Sequence, residues 1–356
     1  VFLYELFLFE HPMANLKKLG EFGLIERFRS QLNTRSPRVK KGIGDDCAVF
    51  STKSDTLQLI STDALVESVH FDLKTISAEQ LGRKALAVNI SDIAAMGGTP
   101  YLAVISLGLP PSTSTKFLDK FYSGLQSVCK AYQIELAGGD TVASPNNLFI
   151  NISILGEARK DRVFTRTGAR PSDQIFVTGT LADSAMGLQL LLTGNAKSAS
   201  TKHCRTLIKK HLEPIPRIKE SGMLAKSKLS VTSMIDLSDG LVQDLSHLCD
   251  ANKLGADLHE AKLPFSQALK SICHQKGYDP TDWVLQGGED YELLFTIRQE
   301  DVKKLNSLFL KVDTPVSHIG EITNVPGKII LNKTNGRKKS LKPSMGFNHF
   351  KRGQRS

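Results

Sequence analysis

The apolar positions of this chain switch between two periods. Residues 56–62 (TLQLIST), 101–109, 134–137, 148–156, 174–178 and 231–236 are short runs rich in apolar and β-branched side chains, and they predict strands. Residues 77–96, 115–132 and 241–249 carry apolar positions at helical spacing. The first of these opens on a capping-box pattern, SAEQ, with Ser77 and Gln80, and stops at Gly97–Gly98. A short amphipathic helix is expected over 21–32. Strands alternating with helices predict an α/β protein.

The polar, turn-rich stretch TRTGARPSD, within residues 159–173, predicts a boundary between two units. The expected organisation is an extension at 1–12, a first domain at 13–160, a second at 161–350 and a basic tail at 351–356. The extension, VFLYELFLFEHP, is apolar but short and holds Glu5 and Glu10. It makes a poor signal peptide, and Met13 is the expected start.

Composition narrows the class. The 356 residues, 40% hydrophobic and 23% charged, suit a globular protein of about two domains. No apolar run reaches the ~18 residues of a membrane span. The net charge of +10 invites a nucleic-acid partner, but nine Lys and Arg with no Asp or Glu lie in residues 328–356, which leaves +1 for the rest. Charge confined to one segment predicts a solvated, partly flexible end and no nucleic-acid face. Five cysteines, widely spaced and without a C-x-x-C pair, predict free thiols in a reducing cytoplasm.

The chemistry sits in acidic clusters: GIGDDCA (42–48), STD (61–63), NISD (89–92), GGDT (138–141), DLSDG (236–240) and GGED (287–290). The acids of the first five are Asp45, Asp46, Asp63, Asp92, Asp140, Asp236 and Asp239. An acid beside glycine is ordinary turn chemistry. Here, however, the acids end apolar runs, and Asp92 stands inside a small, apolar helix stretch where an unpartnered charge is costly. Carboxylates that converge need cations between them. Hard divalent ions with oxygen ligands fit, and magnesium usually brings phosphates. No G-x-x-x-x-G-K-[ST] loop and no H-R-D or D-F-G set occurs, so phosphate would be held by metal and not by a lysine cradle.

GIGDDCA, STDALV, KALAVNISDIAAMG, AGGDT, TRTGA, IDLSDGL and GGEDYELLF, in this order, resemble the thiamine-monophosphate kinases. These belong with aminoimidazole ribonucleotide synthetase and selenide, water dikinase in one superfamily. The resemblance runs from about residue 21 to 350. It implies a two-domain α/β (α+β) aminoimidazole ribonucleotide synthetase-like fold, a homodimer paired through the N-terminal halves, and ATP-dependent conversion of thiamine phosphate to thiamine diphosphate. It further implies several magnesium ions on Asp46, Ser61, Thr62, Asp63, Asp92, Asp140, Asp236 and Asp239, with potassium open as a further ion. ATP would touch Gly139, Asp140, Arg166 and Ser238. Thiamine phosphate would touch His70, Glu289 and an aromatic near the C-terminus, for which Phe347 is the best match and Phe350 the competitor. The extension before Met13, the MGGTP stretch and the tail after Phe350 depart from the pattern.

The residues themselves leave alternatives. Asp45 would join the metal ligands, or cap or brace Asp46. Ser238 and Asp239 would cap the following helix or bind phosphate. Glu289 would brace its bend or meet substrate, and Arg166 would clamp phosphate or sit on the surface. Cys47 is expected to be a buried small residue. The acceptor is a phosphate monoester, mostly dianionic at neutral pH, so no general base is needed.

Overall fold

In the computed structural model, residues 36–52, 55–193 and 201–342 are described, together with Gly23 and Ile25 as isolated helical positions. The expected extension, most of the 21–32 helix, Phe347, Phe350 and the 351–356 tail lie outside the described residues.

The described residues form two sheets. The first has six strands: β1 (Val39–Lys41), β2 (Ala48–Ser51), β3 (Thr56–Val66), β4 (Thr99–Leu109), β5 (Glu135–Ala143) and β6 (Phe149–Arg159), in the order β1-β2-β3-β6-β4-β5. All neighbours are antiparallel except β4 and β5. The second has seven: β7 (Gln174–Thr178), β8 (Val231–Asp236), β9 (Gly255–His259), β10 (Leu293–Ile297), β11 (Val316–Thr323), β12 (Ile329–Asn332) and β13 (Lys338–Leu341), in the order β13-β12-β9-β11-β7-β10-β8. Its β7 and β10 are buried at every position, as strands covered on both faces must be.

One helix organises the site. The helix α1 (Ala78–Ala95) carries the capping box read from the sequence, Ser77 with Gln80, and Met96 caps its end. Small residues let neighbours approach it from all sides. It meets α2 (Thr115–Tyr132) through two glycines: a Cβ at Gly82 would stand 2.0 Å from the Phe121 carbonyl, and one at Gly124 would stand 2.0 Å from that of Glu79. Both helices cover the inner face of the first sheet, where Leu59, Ile105, Leu107, Ile150, Ile152 and Ile154 are buried. The end of α1 docks on the second sheet: Ala94 and Ala95 share a core with Phe176, Met234 and Phe295.

The remaining helices are α3 (Asp183–Leu192), α4 (Lys202–Leu212), α5 (Ile218–Lys226), α6 (Leu241–Asn252), α7 (Gln267–Lys276), α8 (Pro280–Gln286) and α9 (Val302–Phe309). Among the described residues no helix is long and apolar enough to cross a membrane.

Three expectations are corrected. GGDT is not a bend at a strand end, because β5 continues through it to Ala143 as an exposed edge strand. Asp63 likewise lies inside β3. The basic segment up to residue 342 is not a loose end: β12 and β13 pair as a hairpin at the sheet edge, with Lys333 near Glu260 and Lys339 near Asp282.

Candidate active site

Side chains alternate along a strand, so β3 sends Ser61 and Asp63 to the inner face and Thr62 to the outer one. On the inner face Asp46, from the turn before β2, Asp92 of α1 and Asp236 at the end of β8 converge. One carboxylate oxygen of each lies within 4.8 Å of the others. Ser61 Oγ donates a short hydrogen bond to Asp92, and Ser91 Oγ donates to Asp236 Oδ2 at 2.6 Å. The Asn89 side chain accepts from the Asp63 backbone N–H at 3.1 Å, fixing that strand against α1.

Burial and mutual repulsion mark the cluster. Burial, then Asp46, pushes Asp63 up to about 6. Burial, then Asp46, pushes Asp236 up to about 7. Asp92 stands well above its ordinary value, through burial and then Asp63 and Asp236. Arg166 supplies positive charge, with Nη2 2.6 Å from Asp46 Oδ1. Burial works against its charge, yet Asp46, Asp45 and Asp236 together hold its pKa above the usual value. Asp45 braces as expected, accepting from the Arg166 backbone N–H at 3.1 Å and that of Asp46 at 3.3 Å. Asp46 Oδ2 is buried without a hydrogen-bond partner. An orphaned carboxylate oxygen among three converging acids fits a hard divalent cation such as magnesium.

A second acidic group lies at the start of α6. Asp239 Oδ, Asp244 Oδ and a His247 ring nitrogen approach within 4.8 Å of one another. Neither Ser238 nor Asp239 caps this helix. Gly240 is the cap residue and offers no side chain, and Asp244 reaches back to accept the Asp239 and Gly240 backbone N–H groups at 3.1 and 3.0 Å. The Ser238 carbonyl accepts from Glu289 N at 2.7 Å, which ties the DLSDG and GGED turns together.

Glu289 stands apart from the metal-type cluster. Its Oε1 is 3.0 Å from Lys84 Nζ and its Oε2 is 3.3 Å from His211 Nδ1. His70, between β3 and α1, accepts the Val66 N–H on Nδ1 at 3.0 Å, so a neutral ring carries its proton on Nε2. Cys47 is buried, and burial, then Asp92, keeps its thiol protonated.

Not every candidate joins. Asp140 pairs with Ser106, Ser106 with Asn151 and Asn151 with Ala64, so Asp140 lies on the outer face, three strands from β3 and about 14 Å away. Thr62 faces the same way, bonded to Asn151 and Ser153. Gly139 has a packing reason of its own: a Cβ there would stand 1.7 Å from the Ile105 carbonyl.

Sequence reasoning missed Lys84, His211, Asp244 and His247. A lone lysine inside an apolar helix and the D-x-x-H spacing of residues 244 and 247 were the available signals.

Two halves of one known fold match this chain in order: "AIR synthase related protein, N-terminal domain" over residues 44–158 and "AIR synthase related protein, C-terminal domain" over 170–332. The thiamine-monophosphate kinase of Buchnera aphidicola subsp. Acyrthosiphon pisum is 39% identical over 333 residues, 94% of this chain and 99% of the relative. The chain belongs to the thiamine-monophosphate kinase family. The family's Escherichia coli K12 member is 40% identical over 304 residues, 85% of this chain and 90% of its own. The solved structure "AaThiL complexed with AMPPCP and TMP" superposes with a TM-score of 0.82 at 35% identity, covering 95% of this chain and all of that one. The two-domain α/β fold of the kinase family is therefore the fold of this chain.

Proposed function

We infer that this chain transfers the γ-phosphoryl group of ATP directly to the phosphate of thiamine phosphate, giving ADP and thiamine diphosphate, as a step of thiamine diphosphate formation. The observation that carries the mechanism is the buried convergence of Asp46, Asp92 and Asp236 beside Arg166. Two anions must meet, and the barrier is positioning and repulsion. Magnesium ions held by Asp46, Ser61, Asp63, Asp92, Asp236 and Asp239, and separately by Thr62 and Asp140 on the outer face, would neutralise phosphate charge and polarise the transferred group. The chain's own work is to aim those oxygens: Ser61 orients Asp92, Ser91 orients Asp236, and Arg166 balances Asp46. Gly139, Asp140, Arg166 and Ser238 are proposed to meet ATP. His70, Glu289 and Phe347 are proposed to meet thiamine phosphate. The acceptor oxygen is already anionic, so no side chain is assigned to take a proton.

The outer face of the first sheet supports a homodimer. Ile60, Tyr101, Val104 and Phe149 are each 37% exposed there and Val142 55%, an apolar patch of the kind that marks an interface. Thr62 and Asp140 lie on this face, so a second copy seated on it would bring its own set of these groups together with the first. The five buried, unpaired thiols are consistent with a cytoplasmic site of action.

The test is product formation. With ATP, magnesium and thiamine phosphate the chain is expected to make thiamine diphosphate. Unphosphorylated thiamine is expected to stay unchanged, because the mechanism supplies no base for an alcohol. Rapid phosphorylation of thiamine would overturn direct phosphate attack. Withholding magnesium or potassium in turn reads the ion requirement.

A further inference from the structure

We propose that Lys84 is a positioning residue for the acceptor: it reaches out of α1 to hold Glu289 in place against thiamine phosphate. The inference rests on the reading that Glu289 meets the acceptor. Lys84 is 1% exposed. Burying an ammonium group costs several kcal/mol, and an apolar side chain of similar volume would fill the space more cheaply. Its Nζ lies 3.0 Å from Glu289 Oε1 as a close ion pair, without a well-aligned hydrogen bond. Glu289 itself keeps 28% of its side chain exposed. A ligand can therefore reach the carboxylate but not the lysine, which makes Lys84 a group that acts through Glu289.

The carboxylate needs holding. Glu289 adopts φ +61° and Tyr291 φ +50°, a left-handed backbone that persists in bulky residues only where the surroundings impose it. Each Glu289 oxygen is claimed by a different part of the chain. Lys84 comes from the helix of the first sheet. His211, at the end of α4, comes from the second unit and also lies 3.1 Å from Ser184 Oγ. Burial alone would favour the neutral acid, but Lys84 holds Glu289 below its ordinary range, while His211, pushed down to about 4 by burial and then Lys84, faces it as a neutral ring. The result is a fixed negative charge, the complement of a cationic thiazolium ring.

The placement also links two sites. Lys84 and Asp92 stand eight residues apart on α1, about 12 Å along one helix face. Ser91 and the Ala94 carbonyl dock the same helix on Asp236 and Ser221. One rigid element thus sets both the metal-type acids and the Glu289 contact, so acceptor and donor are spaced by a helix and not by loops.

The experiment is a double-mutant cycle on the full chain with Lys84→Met, Glu289→Gln and both together. Michaelis constants for thiamine phosphate and for ATP, kcat and melting temperature are measured for each. Lys84→Met is expected to raise KM for thiamine phosphate about tenfold, the scale of one coupled side-chain contact, with KM for ATP within twofold. Adding Lys84→Met to Glu289→Gln is expected to change little more. An unchanged KM for thiamine phosphate in a folded Lys84→Met protein overturns the proposal. So does an equal further loss on the Glu289→Gln background, and so does unfolding of Lys84→Met that the double variant fails to relieve. If Glu289→Gln alone leaves that KM untouched, the assignment of Glu289 to the acceptor falls first, and Lys84 with it.

Discussion

Asp92→Asn separates the metal account from a purely structural one. Asp92 shares a 4.8 Å cluster with Asp46 and Asp236. At that spacing, with an effective dielectric of about 20, each ionised pair repels by roughly 3.5 kcal/mol. Without a cation the cluster escapes by taking up protons, and burial, then Asp63 and Asp236, hold Asp92 well above its ordinary value. An asparagine mimics that neutral acid and still accepts from Ser61. The metal-free variant should therefore melt within about 1 kcal/mol of the parent, the size of one ordinary hydrogen bond. Magnesium tells them apart. An ion at a hundred times its dissociation constant adds about 2.7 kcal/mol, or roughly 5 to 10 °C for a unit of ~150 to 250 residues. The variant should lose most of that gain, and turnover should fall at least ~100-fold, as for loss of a main charge-stabilising group. Melting curves with chelator and with magnesium, beside an ATP-turnover assay, read both. An equal magnesium shift in variant and parent, or retained turnover, refutes the ligand role.

Asp63 at about 6 and Asp236 at about 7 sit above their unfolded values, so the metal-free fold holds extra protons and their contribution to stability falls as pH rises from about 4 to 7. Magnesium competes with those protons, so its melting shift should be small at pH 5 and grow toward pH 8; a pH-independent shift contradicts this. Arg166→Met leaves Asp46 without its partner and should raise KM for ATP at least about tenfold, checked by initial rates, with unchanged KM counting against the ATP contact. Phe347→Ala removes an aromatic face worth about 0.5 to 2 kcal/mol to a cation and should raise KM for thiamine phosphate several-fold while sparing ATP; a loss confined to ATP would place that segment at the wrong end of the site. Val104→Glu puts a charge at the centre of the exposed outer face and should yield monomers with sharply reduced turnover, read by light scattering and initial rates; an intact dimer contradicts that interface.

Much of the inner cluster was legible because its acids interrupt apolar patterns: Asp92 stands inside a buried helix and Asp236 ends a buried strand. Period two along the observed strand, TLQLISTDALV, separates Ser61 and Asp63 from Thr62, but the expected strand stopped at residue 62 and the three were grouped as one ligand set. The run GGDT misled because turn composition is local, whereas the pairing of β5 with β4 is set across the sheet. Ser238 and Asp239 looked like helix caps, but Asp244 takes the N–H groups from inside the helix. Lys84 gave no sign of its partner, since Glu289 lies 205 residues further along the chain, and only the docking of α1 on the second sheet joins them.

Direct transfer between two phosphates across carboxylate-held cations would need no protein nucleophile. The stereochemical course tests it most directly. ATP made chiral at the γ-phosphorus with three oxygen isotopes is turned over with thiamine phosphate, and the terminal phosphorus of thiamine diphosphate is analysed. A single in-line transfer predicts inversion. Retention would mean two displacements through a phosphorylated side chain, and would contradict the account.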